Sequence, residues 1–115
     1  MAIPHAEPGD VIDVRPLGAA LPGTRSHALF KSADLEVMRI VLRAGQELPP
    51  HAVTGEITLQ CLEGRISFSC DAGMRELAAG ELIHAARNEL HGLRGLEDSS
   101  LLLTIVLPKG ENPPS

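Results

Sequence analysis

The sequence predicts an all-β domain, a sandwich or barrel of short strands. Two observations carry that prediction. Apolar and polar residues alternate in short runs, and turns bearing Gly, Pro, Asn or Asp separate those runs about every 8–12 residues. A third sets the scale. The chain has 115 residues, 43 % apolar and 22 % charged, which suits one globular domain with one core.

The elements follow in order. Residues 1–10 read as a loose segment, because Pro4, Pro8 and Gly9 break any periodicity. "VIDVRP" reads as a short strand ended by Pro16, and "LGAALPG" as a turn region. "RSHALFK" alternates loosely. "LEVMRIVLR" alternates with apolar residues on both sides, as a strand covered on two faces does. "RAGQELPPH" reads as a turn and a proline-stiffened connection. In "EITLQCLEG", Ile57, Leu59 and Cys61 share one face, while Thr58, Gln60 and Leu62 share the other.

"GRISFSCDAGMRELAAG" reads as a hairpin turning at Asp71–Gly73. "ELIHAA" is a short strand. "RNEL" turns into "HGLRG", and "SSLLLTIVLP" is a long last strand stopped by Pro108. "RELAAGELIHAAR" contains good helix formers, but Gly80 in its middle and strand-like flanks favour strands. The expected organisation is one barrel over residues 11–108 and a loose tail over 109–115.

Composition excludes several classes. The net charge is −5 and the basic residues are scattered, which argues against nucleic acid and against an anionic membrane surface. There is no Trp and no Tyr, and the two aromatic residues are Phe30 and Phe68. The core is therefore aliphatic, and a stacking platform for bases or sugars is hard to build. No run of apolar residues is long enough to span a bilayer. "MAIPHAEPGD" lacks the pattern of a secretion signal, so a cytoplasmic protein is expected. Cys61 and Cys70 lack metal or redox spacing and read as small reduced hydrophobes.

The order of glycines and histidines resembles the cupin superfamily of small RmlC-like barrels, from about Leu35 to Leu107. Gly45, five intervening residues and His51 match the start of its first motif, G-x5-H-x-H-x3-4-E-x6-G, and Gly64 matches the end. "GELIHAARNELH", Gly80 to His91, matches the spacing of its second motif, G-x5-P-x-G-x2-H-x3-N. The resemblance implies a double-stranded β-helix, or jelly-roll barrel. It also implies four metal ligands, of which this chain keeps His51 and His91. The second histidine falls on Val53 and the glutamate on Ile57. Glu56 is one position early, which on a regular strand turns it to the opposite face.

The resemblance implies a pocket lined by His51, His91, Val53, Ile57, Leu59 and Cys61. His84 is the best candidate for a third ligand, with Fe, Mn, Ni or Zn as the metal. His27 reads as a surface residue. Two readings stay open. One is an enzyme acting on a small molecule, a dioxygenase or isomerase, with His51 and His91 in catalysis. Sugar epimerisation is disfavoured, because the family's epimerases use a Tyr acid. The other is a metal-free module that binds or senses a small molecule. A homodimer is expected in either case, paired through "VIDVRP" or "RSHALFK".

Overall fold

Strand alternation becomes two facing antiparallel sheets. The computed structural model describes residues 5–107. The expected tail over 109–115, Pro108 and the first four residues lie outside them. The described residues form nine strands: β1 (His27–Lys31), β2 (Leu35–Leu42), β3 (Glu47–His51), β4 (Ile57–Glu63), β5 (Arg65–Cys70), β6 (Gly73–Ala78), β7 (Leu82–Ala85), β8 (His91–Gly95) and β9 (Ser99–Val106). One sheet has the order β1-β2-β9-β4-β7, the other β3-β8-β5-β6. Strands distant in sequence lie side by side, the interleaving of a double-stranded β-helix. No helix among the described residues is long and apolar enough to cross a membrane.

The inner faces follow the alternation. Ile57, Leu59 and Cys61 of β4 are buried, and so are Ile66 and Phe68 of β5 and Leu101 of β9. Removing such apolar area from water is the main favourable term. The expected aliphatic core is present, with Phe68 its one aromatic ring.

Two segments differ from the sequence reading. "VIDVRP" forms no strand. Arg15 turns back on Asp13, its guanidinium 2.8 and 3.0 Å from the carboxylate. The segment is held to the sheet by side chains instead: the Leu17 and Gly18 N–H groups donate to the Glu63 carboxylate at 2.7 and 3.0 Å. Local side-chain bonds compete with a ladder, and here they win. "ELPPH", expected as a connection, is strand β3, and "HGLRG" is its partner β8. The two prolines are tolerated because β3 is the outermost strand of its sheet.

The motif glycines Gly45, Gly64 and Gly80 all have positive φ. At Gly64 space is also lacking, since a Cβ would collide with the Asp98 carbonyl and the Ser99 hydroxyl. These glycines are required by backbone geometry, whatever the site does. The hairpin β5–β6 and the turn at Gly80 match the strand reading of that region.

Candidate functional site: a histidine pair at an apolar cavity

The site is built by a bulge. Leu48 pairs with Leu93, and His51 pairs with His91. Three steps along β3 therefore match two along β8. The extra residue falls at Pro49–Pro50, which have no N–H to give to the ladder. Without it, the odd spacing would place Leu48 and His51 on opposite faces. With it, both look into the barrel.

His51 is exposed at the end of its strand, while His91 is 6 % exposed. Their ring centroids are 4.8 Å apart, tilted by 57°. Phe68 lies parallel to His91, centroids 5.8 Å apart and planes within 7°. His91 Nδ1 is 3.1 Å from the Glu89 carbonyl, and His51 Nδ1 is 3.3 Å from the Pro49 carbonyl. A carbonyl only accepts, so each Nδ1 carries a proton and donates. In the neutral ring this tautomer makes each Nε2 a lone-pair acceptor.

Glu89 organises the loop before His91. Its carboxylate accepts the Ala86 and Asp71 N–H groups at 2.9 and 3.0 Å. Those bonds, Ala86 first, hold its pKa below the ordinary glutamate value. The Asn88 N–H donates to the Val53 carbonyl at 2.9 Å. Asn88 itself sits at φ 61°, a conformation Asn tolerates better than most residues.

Beside the pair is a cavity of about 50 Å³, walled by Val53, Ile57, Leu59 and Phe68 as well as by both histidines. This is little more than the ~30 Å³ share of one water, and far below the hundreds of Å³ of a drug-sized pocket. Of the residues expected to line a pocket, Val53, Ile57 and Leu59 do so. Cys61 shares their face but lies outside the lining. Its Sγ–H donates to the Glu63 carbonyl at 3.3 Å, and burial pushes its pKa up.

His84 is not brought to the cavity. On β7 it alternates with the inward Ile83 and Ala85. Its Nε2 is 2.8 Å from Glu56 Oε1 on the outer face, with both side chains more than half exposed. Glu56 thus points outward, as its early position predicts. His27 lies outside the barrel opposite Arg39, its Nδ1 donating to the Arg25 carbonyl at 2.8 Å. Among the described residues no three His, Cys, Asp or Glu are grouped as metal ligands. The donor set at the cavity is two imidazoles, with aliphatic side chains where further ligands would stand. That set does not fit a metal centre needing three or four donors.

Phe68 and Glu89 were not legible as site residues. The inward facing of Phe68 is readable from its alternation with Ser67 and Ser69. Its stacking on His91 depends on β5 pairing with β8.

No family model matches the sequence, and no curated protein matches it. Solved structures do. A conserved protein of unknown function from Streptococcus pyogenes is 24 % identical, covering 96 % of this chain and 97 % of that one, with a TM-score of 0.73. A cupin superfamily protein from Desulfitobacterium hafniense is 15 % identical over 90 % of this chain and 100 % of that one, TM-score 0.73. An RmlC-like cupin with a double-stranded β-helix fold from Methanocaldococcus jannaschii is 14 % identical over 85 % and 93 %, TM-score 0.69. The chain has the cupin fold. Inside the barrel it holds two histidines beside an aliphatic cavity.

Proposed function

We propose that this protein binds a small molecule at the His51–His91 pair without a metal. The observation that carries this is the pair itself. Two imidazoles present Nε2 acceptors beside a cavity whose other walls are apolar. A ligand suited to them has a hydrogen-bond donor at one end and a small apolar body. With about 50 Å³ inside, only the head group enters, and the rest of the ligand lies at the mouth beside His51. Binding and sensing suit this arrangement better than turnover, since among the described residues no carboxylate or phenol lines the cavity with the pair.

The test is elemental analysis of the purified protein beside His91→Ala. The expected result is less than about a tenth of an equivalent of Fe, Mn, Ni or Zn in both. Near-stoichiometric metal that disappears in the variant would overturn the reading. The expected homodimer joins the same proposal. The support is β1, an edge strand, and the exposed Leu82 and Val106 on the five-stranded sheet. Light scattering returning a monomer mass would remove that part alone.

A further inference from the structure

The outer face of the four-stranded sheet holds a second concavity, of about 230 Å³, which the histidine site does not use. Its floor is set by strand alternation. Ile66 and Phe68 of β5 point into the core, so Ser67 and Ser69 point out. Ser67 is opposite Arg94 on β8, and Ser69 is opposite Gly92. On the far side of Ser69 stands Met74 of β6. On the far side of Arg94 stands Glu47 of β3. Two rows therefore cross the sheet side by side. One runs Glu47, Arg94, Ser67 and Glu76, whose carboxylate lies 3.5 Å from the Arg65 guanidinium. The other runs from the proline bulge through Gly92 and Ser69 to Met74.

The second row has a notch in it. A Cβ at Gly92 would lie 3.0 Å from Ser69 Oγ and 3.3 Å from Pro50. Glycine leaves that space as a groove between Pro50 and Ser69. The groove floor is polar and under-used. Ser67 is 7 % exposed, yet its hydroxyl reaches only the Met74 sulfur, at 4.0 Å. Sulfur is a weak acceptor, so this part-buried hydroxyl keeps most of its hydrogen-bonding capacity for a group in the concavity. The Ser69 hydroxyl has no partner among the described residues. At the rim, Arg94 and Glu47 are 3.6 Å apart, with side chains 57 % and 64 % exposed. A pair that loose and that wet holds itself together weakly.

From these features we infer that the concavity is a binding site for a free aliphatic α-amino acid. Of the residues lining the concavity one is a cation, Arg94, and one an anion, Glu47, which match the carboxylate and ammonium of a zwitterion, while Glu76 beyond Ser67 is paired with Arg65. The floor offers hydroxyl donors to that carboxylate. Pro49, Pro50 and Met74 offer apolar walls to a branched side chain. A zwitterion also avoids the penalty that the chain's net charge of −5 sets on a simple anion. The site is separate from the histidine cavity, with Leu48 and Leu93 as the wall between the two. Neither proposal depends on the other.

The experiment is a titration of the full chain with L-leucine, followed by amide NMR. Saturable shifts are expected at Ser67, Ser69 and Gly92, with Val53 and His91 unmoved. N-acetyl-leucine and leucine methyl ester each lack one charge, and each should bind about tenfold more weakly or worse. Glu47→Gln should weaken leucine to the level of N-acetyl-leucine while leaving the latter unchanged, which a merely structural role for Glu47 would not produce. Ser69→Leu, which fills the groove from an outward position, should abolish the shifts. Equal binding of the three compounds, shifts confined to Val53 and His91, or no saturable shift would each overturn the proposal.

Discussion

His51 and His84 make a useful contrast. Both lie on edge strands, and both are expected site residues. One looks into the barrel and the other to solvent, bonded to Glu56. The difference is parity. On β7 the ladder is regular, so His84 takes the face opposite Ile83 and Ala85. On β3 the proline bulge adds one residue and brings His51 to the inner face beside His91. A ligand-type residue near the right place in sequence is therefore only half an argument. The count of residues between it and the last inward side chain supplies the other half.

The contrast breaks most severely if inner positions are given the ligands that the fold family carries there. Val53→His with Ile57→Glu puts a carboxylate on a residue that is 3 % exposed. Without metal, this double variant should lose about 3–5 kcal/mol of stability, the scale for an uncompensated buried charge. Zn²⁺ or Ni²⁺ should restore much of it, read as a rise in melting temperature that the wild type does not show. A variant that stays indifferent to metal would mean that these positions do not converge with His51 and His91.

A smaller effect tests the segment that Glu63 holds against the five-stranded sheet through Leu17 and Gly18. Burial alone would raise the Glu63 pKa. The Ser100 hydroxyl and the Leu17 and Gly18 N–H groups outweigh it and hold the pKa below the ordinary 4.5. A depressed carboxylate stabilises the folded state above its unfolded value and stops doing so as pH falls through its folded value. Acid unfolding should therefore begin below about pH 4.5, with Glu89 and Asp98 contributing in the same direction. Glu63→Gln should cost about 1–3 kcal/mol at pH 7 and flatten the acid limb of a stability–pH curve. An unchanged limb would assign acid sensitivity elsewhere.

The smallest effect is expected on the outside pair. His84→Ala should change stability by about 0–1 kcal/mol, since an exposed ion pair is solvated and screened. It should leave the NMR signals of His51 and His91 in place. A shift in the His91 ring signals would show that the outer pair is coupled to the cavity through β4.

Much of the fold is legible in residue order. Alternation places Ile57, Leu59, Ile66 and Phe68 inward, and the motif glycines Gly45, Gly64 and Gly80 mark turns that are present. Local errors arise where local signals mislead. Pro49 and Pro50 look like a linker, because proline is rare in strands, but an edge strand with a bulge accepts both. "VIDVRP" looks like a strand, but the Asp13–Arg15 closure and the Glu63 carboxylate hold it otherwise.

The sequence by itself determined the strand periods, the turn positions, the aliphatic core and the aliphatic side chains of Val53 and Ile57. These depend on residue identity and on a period of two, which act over a few neighbours. The tertiary structure alone decided which histidines meet, how Phe68 stacks on one of them, and how small the cavity beside them is. Those depend on pairings between strands far apart in the chain and on one extra residue in β3. Nothing in local composition encodes them, because a register shift of one residue reverses every facing at no cost in propensity.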